Sequence, residues 1–599
     1  MKGHCNVHHV IVHAHCYQPP REDPWLELVE AEPSAAPEHD WNARIDRECY
    51  ARLGACEVRV RDGGRADDPD VRAGVARLVN LYAWCTFDVG ATLCEWLDKA
   101  SPATLDAMVR GDRASVKRWG HGNAIAAPYH HVILPLASPR DRRTEVRWGI
   151  ADFQRRFGRT PEGMWLPECA ADDDTLDLLA EEGIQFTILA PYQVQANAET
   201  HGLPVRWRGA SGRSLTIVPY DGGLAGEVAF GGLLRDPAAL ARRLAPRLDD
   251  GQARCTTLAT DGETFGHHHR NGDRTLALAL ADIAQRRDAR VTNAAALVAA
   301  FPPTQDVRLV SPSAWSCAHG VERWRSNCGC RIDHQKAPAQ QWRGPLRDAL
   351  RQLAVHAAER FEQDGRAIFR DDPWEVRNQY GQVVAHDGSP LAEFVARAVR
   401  AETVENVVAA RTLLEMQRAC LRMFTSCAWF FDEVDRIEAR QVLRYAARVV
   451  ELMGSPADVE AAFVHSLKRA HAARKNAVTG ADVYATARPT PTTAVRVAAG
   501  ALALQAHALP FGEIGCYTCE VGDVSAADVR PVVLTHRRTG ARTTWCGRVE
   551  GHGPSTVVMV TRDDGAPCTV SLHELPEVVA IALLFPMRDE DDALLDRTA

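Results

Sequence analysis

An α/β fold of the (β/α)-barrel kind is what this 599-residue sequence predicts, and three observations carry that reading. Over the first 300 residues, short β-branched runs alternate with helix-like segments, the order a parallel sheet wrapped by helices produces. Several of these apolar runs stop abruptly in polar, aromatic and Gly/Pro residues, as barrel strands do where they meet their loops. Beyond about Gln335 the pattern becomes long segments rich in Ala, Arg, Glu and Leu, and beyond about Ala508 it becomes short strands and turns. A chain of this length exceeds what one core supports.

Taken in order, Val10-Ile11-Val12 runs straight into His13-Ala14-His15. The Pro- and acid-rich stretch from Pro19 to Asp40 predicts a long loop over the top of the barrel. Asp172-Asp173-Asp174 caps a helix carrying Leu176, Leu178 and Leu179, which Gly183 closes. The run from Gln185 to Ala190 ends at Pro191-Tyr192-Gln193, that from Leu215 to Val218 at Pro219-Tyr220-Asp221-Gly222, and that from Cys255 to Ala259 at Thr260-Asp261-Gly262-Glu263. In the helical part, Leu413, Leu414, Met416, Ala419, Cys420 and Met423 fall on one stripe, read as core. The Pro/Thr-rich stretch from Ala487 to Thr493 reads as a linker, and Pro531 to Thr535 and Ser555 to Val560 as strands.

Composition narrows the function classes. Hydrophobic content of 46%, charged content of 25% and a net charge of −8 are those of a soluble globular protein. An acidic balance argues against a nucleic-acid or anionic-membrane partner. No apolar run of about 18 residues is present to span a bilayer. The residues from Met1 to His15 have no long apolar core, so no secretory signal is expected. The seventeen cysteines are scattered and read as free thiols of a reducing cytoplasm.

The chemistry concentrates in two runs. Trp165-Leu-Pro-Glu168 and Thr260-Asp-Gly-Glu-Thr-Phe-Gly-His-His-His269 each place a carboxylate just past a strand. Two carboxylates from separate strand ends are what glycoside cleavage requires, one facing the sugar cation and one protonating the leaving oxygen. Glu168 follows a rigid Leu-Pro step, which suits a group that must be held within a fraction of an ångström. Asp261 precedes Gly262, where backbone can approach a ligand; its alternative is a turn or cap Asp. Glu263 is its neighbour and competitor, able to bind sugar hydroxyls or to orient Asp261.

His13 and His15, two apart on a strand, share a face. Neutral imidazoles bonding sugar hydroxyls and site carboxylates is the preferred reading; zinc, with a third ligand from His267-His268-His269, is the other. Cys317, His319, Cys328 and Cys330 are metal-capable, but their one-residue gaps are tighter than the usual zinc knuckle, and packed thiols are expected. Cys516 and Cys519 form a lone CxxC, thin support for zinc or redox chemistry. Trp315 and Trp324, and less strongly Trp342 and Trp429, offer flat faces to sugar rings.

These runs together resemble a known family. His13-Ala-His-Cys-Tyr-Gln-Pro-Pro20, Gly120-His-Gly-Asn-Ala-Ile-Ala-Ala-Pro-Tyr-His-His131, Trp165-Leu-Pro-Glu168, Asp261-Gly-Glu-Thr-Phe-Gly266 and Trp315-Ser-Cys-Ala-His-Gly-Val-Glu-Arg-Trp324 resemble, in order, the signature regions of glycoside hydrolase family 57. Trp342-Arg-Gly-Pro345 and Thr425-Ser-Cys-Ala-Trp-Phe-Phe431 resemble an uncharacterised helical extension on one branch of it. The resemblance implies an incomplete (β/α)7 barrel over 1–310, an α-helical domain over 311–490 that completes the cleft, and leaves 491–599 as a small β-rich C-terminal module. It implies a retaining enzyme of α-linked glucans, hydrolysing or transferring, with Glu168 as nucleophile, Asp261 as general acid/base, and no metal or cofactor.

Substrate contact is expected from His13, His15, Gln18, Asn123, Tyr129, His130, Trp165, Tyr192, Asp221, Glu263, His267, Trp315 and Trp324. Cys16, Cys169 and the triple histidine set the chain apart from the family's amylase and branching-enzyme branches. A retaining pair predicts carboxyls about 5–6 Å apart. The competing classes are a metal-dependent carbohydrate hydrolase, such as a mannosidase or polysaccharide deacetylase, and a non-catalytic glycan-binding protein.

Overall fold

The computed structural model describes residues 7–59, 76–196, 198–247, 253–332, 339–386, 388, 390–472, 477–524, 529–562 and 565–585. The helical onset expected near Gln335, and the termini of the expected domains at 1–6 and 586–599, lie outside the described residues.

Strand His8–Cys16 is buried along its whole length, as a parallel strand covered on both faces must be. It pairs in parallel with Arg254–Asp261 on one side, and on the other with Ala289–Val291 and Thr86–Val89. Thr86–Val89 pairs with Ala124–Ile125. Parallel bridges Ala126↔Met164 and Gly163↔Phe186 then lead to Phe186–Leu189, which pairs in parallel with Ser214–Pro219. Past that strand, the Asp221 amide donates to Thr257 O at 2.7 Å, returning the series to Arg254–Asp261.

Register matters most for function. His15 stands opposite Asp261 on one neighbour and Asp88 on the other. Three polar side chains are thereby set side by side at adjacent strand ends, about 4.8 Å apart from strand to strand. Helices cover this sheet: Pro102–Trp119 and Pro139–Phe157 both begin on proline, whose missing N–H is no loss in a first turn. Asp173–Glu181 is capped by Asp172, which accepts from the Thr175 amide at 2.8 Å.

A second hydrophobic cluster is built mainly from helices, among them Arg343–Ile368, Val404–Arg422 and Ile437–Leu452. The stripe expected on Val404–Arg422 is wider than the pattern implied. From Leu413 to Met423 every residue is buried, because other elements surround that half of the helix. Its polar residues are paired, as buried charges must be: Glu415 with the Tyr380 hydroxyl, Arg418 with Glu27 at 2.8 Å and Glu415 at 3.1 Å, Arg422 with Glu22 and with Glu95 at 2.9 Å.

A third cluster joins helix Thr493–Ala506 to a six-stranded antiparallel sheet running in sequence order from Glu513–Ile514 to Cys568–Ser571.

The segment 19–40 does more than lie over the first sheet. Trp25 belongs to the helical cluster and Leu26 to the third one. Asp23 pairs with Arg444, and Glu27 with Arg418 and Arg538. The Cys516 amide donates to Leu26 O at 2.9 Å. Gly515 (φ +58) makes this approach possible, since a Cβ there would sit 2.3 Å from Leu26 O. The expected loop is thus a strap that ties the helical cluster to the third one; its long-range partners left no trace in local pattern. Among the described residues no helix is long and apolar enough to cross a membrane.

Candidate active site

His13 and His15 point to one face, as strand alternation requires, and both reach Asp88. His13 Nε2 is 3.2 Å from Asp88 Oδ1, and His15 Nδ1 is 2.9 Å from Asp88 Oδ2. Asp88 is fully buried, and the imidazoles hold its carboxyl below the usual range against the desolvation of burial. Burial also opposes charge on His15, but Asp88, with Asp261 and Glu263 adding, outweighs it and pushes His15 up to about 9. Burial lowers His13 and lowers His131 further. His15 Nε2 lies 3.1 Å from His131 Nε2, so a cationic His15 donates to a neutral His131. Trp165 stacks on His13 at 4.4 Å and Tyr17 on His131 at 3.7 Å.

Asp261 reaches the surface in part. Its carboxyl is pushed up to about 7, first by desolvation and then by the charge of Glu263, with Glu168 and Asp88 adding and His15 opposing. Glu263 is buried, accepts from Gln18 Nε2 at 3.2 Å and from the Tyr50 hydroxyl, and is itself raised by burial. Asp261 is the member of this acidic pair with access to solvent.

Glu168 is positioned differently. It sits in the turn Pro167–Cys169, where Glu168 (φ +58) and Cys169 (φ +48) both adopt left-handed backbone. Such a conformation costs of order 1–3 kcal/mol for each side-chain-bearing residue, so something else must hold it. The holders are Gln193 Nε2, donating to Cys169 O at 2.7 Å, and the Trp315 amide, donating to Glu168 O at 2.9 Å. The carboxylate accepts from Trp315 Nε1 at 3.0 Å and from Ser316 Oγ. Glu168 is partly exposed while Trp165, Leu166, Pro167 and Cys169 around it are buried. Trp315 links the two halves: its ring edges Trp165 at 5.1 Å, His15 at 6.4 Å and Tyr220 at 6.5 Å.

Other expected substrate contacts lie elsewhere. Asn123 is fully buried, donates to Tyr82 O and accepts from Asn293. Tyr129 donates to Glu95, and His130 is bound through both its ring and its amide to Glu145. These three brace the framework, because the chain at that point folds inward before His131 (φ +55). Trp324 is fully buried in the helical cluster. Asp221 caps helix Gly222–Ala229 and pairs with Arg243. Tyr192 is exposed, and its hydroxyl donates to Trp315 O at 2.9 Å. His267 pairs with Glu48 and edges Trp41. Among the described residues no third ligand joins His13 and His15; the one grouping of metal-capable atoms is at 317–330.

Sequence reasoning missed Asp88, His131, Tyr220 and Ser316. Asp88 carried a readable signal, a carboxylate closing the run Thr86-Phe87-Asp88-Val89 ahead of Gly90. His131 stood inside a quoted run beside the wrong histidine. A cleft of about 360 Å³ beside this group is lined by Pro19, Pro20, Arg21, Thr425 and Cys427, and includes neither Glu168 nor Asp261.

Comparison with known proteins bears on what such a site belongs to. Residues 57–291 match the model of glycosyl hydrolase family 57, and residues 339–546 match a domain of unknown function, DUF3536. The chain is 24% identical over 177 residues to a 4-alpha-glucanotransferase of Thermococcus litoralis, covering 29% of this chain and 25% of that protein. It is 24% identical over 181 residues to an alpha-amylase of Pyrococcus horikoshii, covering 30% and 27%. These matches span only about a quarter of each relative's length. A solved exo-type maltose-forming amylase from Pyrococcus sp. ST04 superposes with a TM-score of 0.60 at 15% identity, over 77% of this chain and 83% of that one. That likeness is one of fold.

Proposed function

We propose that this chain, whose residues 57–291 are a glycosyl hydrolase family 57 domain, is a retaining glycoside hydrolase or transglycosylase of α-linked glucans. The observation that carries the reading is the inequality of two neighbouring carboxyls. Asp261 keeps its proton up to about pH 7, while Glu168 accepts hydrogen bonds from Trp315 and Ser316 that fix its carboxyl in place. A protonated acid beside a fixed carboxylate is the division of labour that retention requires.

In this reading Glu168 attacks the anomeric carbon as Asp261 gives its proton to the leaving glycosidic oxygen. Asp261 then takes a proton from water or from an acceptor sugar hydroxyl, whose oxygen displaces Glu168 with configuration retained. The cationic His15 faces the charge that remains on Asp261, and Glu263 keeps that carboxyl's proton affinity high. His13, Gln18 and Trp165 shape the floor, and Trp315 positions Glu168.

The six parallel positions from strand His8–Cys16 round to Ser214–Pro219, with Arg254–Asp261 as a seventh, support an incomplete (β/α)7 barrel. The three clusters support limits of 1–310, 311–490 and 491–599. The reduced state of the described cysteines suits the cytoplasm.

Product analysis on maltooligosaccharides, amylose and glycogen tests this reading. The wild type should release or transfer sugars with the α configuration kept, and Glu168→Gln should bind but not turn over. A β-configured first product, or unchanged turnover in the variant, would overturn the nucleophile.

A further inference from the structure

Two residues beyond Trp315, the chain gathers a second set of reactive side chains. Cys317 Sγ is 3.9 Å from Cys328 Sγ and 3.9 Å from Cys330 Sγ, and Cys330 Sγ is 3.6 Å from His319 Nδ1. All four atoms lie within 4.8 Å of one another. A tetrahedral zinc centre with its usual bond lengths has edges of about 3.8 Å between sulfurs and about 3.6 Å between sulfur and nitrogen. A disulfide would need sulfurs about 2.05 Å apart. We propose that Cys317, His319, Cys328 and Cys330 form a structural zinc site of the Cys3His type, which fastens the loop that holds Glu168.

Local chemistry agrees with that geometry. The one-residue gap of Cys328-Gly329-Cys330 is tighter than that of the usual zinc knuckle, which favoured packed thiols in the sequence. Gly329 resolves this with a left-handed φ of +88, which a side-chain-bearing residue adopts only with strain, and both thiols turn toward Cys317. Three thiolates and a neutral imidazole around a dication leave a net charge of −1. Two buried guanidiniums stand ready for it. Arg343 donates to Cys330 O at 2.8 Å and to Phe431 O at 3.1 Å, and Arg323 donates to Ser316 O and Phe430 O at 3.0 Å each. Neither forms a salt bridge with a carboxylate among the described residues, and Asp432 acts on Arg343 only at longer range together with Cys328 and Cys330, so a thiolate centre would supply close counter-charge to these buried arginines. Four protein ligands close the coordination shell, which marks a structural centre and leaves no open position for catalysis.

Zinc would take up the thiols as thiolates, releasing one proton from each to buffer. The site would tie the loop after Trp315 and Ser316 to the start of helix Arg343–Ile368. It would thereby support the Trp315 and Ser316 bonds to Glu168 from outside the barrel.

Elemental analysis of the full-length protein, purified under reducing conditions after growth with zinc, tests this without reference to glucan chemistry. One zinc per chain is expected, replaceable by cobalt with a thiolate-to-cobalt charge-transfer band. His319→Ala, at an exposed position, should lose zinc to a competing chelator more readily than wild type by over about tenfold, the least that weaker outer-shell changes cause. Cys328→Ser should lose it as well. A metal-free wild type, iron or copper in place of zinc, a disulfide among the three cysteines, or equal retention by His319→Ala and Cys328→Ser would each overturn the assignment.

Discussion

The acidic half of the candidate site and its nucleophilic half are made by different means. Asp261, His15 and Asp88 are neighbours because three parallel strands place them in one register. The hydrogen bond of His15 to Asp88 follows from backbone pairing, as does the place of Asp261 beside His15. Glu168 stands four residues beyond the last parallel pairing of its segment, at Met164, in a left-handed turn. Its holders, Trp315 and Ser316, come from 147 and 148 residues further along the chain. A register-built half fixes electrostatics; a loop-built half fixes position, and only while the loop is held.

Experiments can separate the halves. Glu168→Gln should reduce kcat by at least about 10⁴-fold with binding retained, the scale seen when a covalent nucleophile is removed, measured by product release from maltooligosaccharides. Asp261→Asn should cost about 10²–10⁴-fold. Asp261 is raised from 3.8 to about 7, so its ionisation penalises the fold increasingly from pH 3.8 to 7 and fully above. Asp261→Asn should therefore melt higher than wild type above pH 7 while being nearly inactive; a lower Tm would break the electrostatic account of this half.

Ser316→Ala probes the loop-built half and should lower kcat by roughly tenfold to a hundredfold with little change in KM, as displaced reacting groups do. An unaltered kcat would show Glu168 to be held without the loop. Asp88→Asn returns to the register-built half. His15 is raised from 6.5 to about 9, so its contribution to stability is complete below pH 6.5 and lost as pH rises through 9. Wild type should lose Tm across that window, and Asp88→Asn should flatten the decline. The smallest effect on rate belongs to Asn123→Ala, which should leave kcat within about twofold. It should still lose about 1–3 kcal/mol of stability in denaturant unfolding, since Asn293 and Tyr82 O are left unpaired.

The two halves were not equally legible in the sequence. Strand ends announce themselves, because apolar runs break into carboxylates and imidazoles; His13, His15 and Asp261 stood out for that reason, and Asp88 has the same mark. Motif strings are less discriminating within themselves. Asn123, Tyr129 and His130 stand beside His131 in one run, yet only His131 meets His15, because orientation is set by a backbone turn that residue types do not reveal. The ties to Glu168 and the four-fold gathering at 317–330 depend on where a long loop returns. Close spacing counted against metal there, and Gly329 reverses that argument once its φ is known. Val404–Arg422 erred in the same direction: a stripe pattern cannot foresee partners that also cover the opposite face.

The strap has an implication for biosynthesis. Residues 19–40 emerge from the ribosome hundreds of positions ahead of Cys516, Arg538 and Glu577, to which they bond. Contacts of such sequence separation form slowly. The nascent barrel must therefore carry Trp25 unsheltered until the helices that cover it are translated, and Leu26 until the final sheet follows. Chaperone demand should fall on that interval, and shortening the chain at the Pro/Thr-rich linker would make the interval permanent.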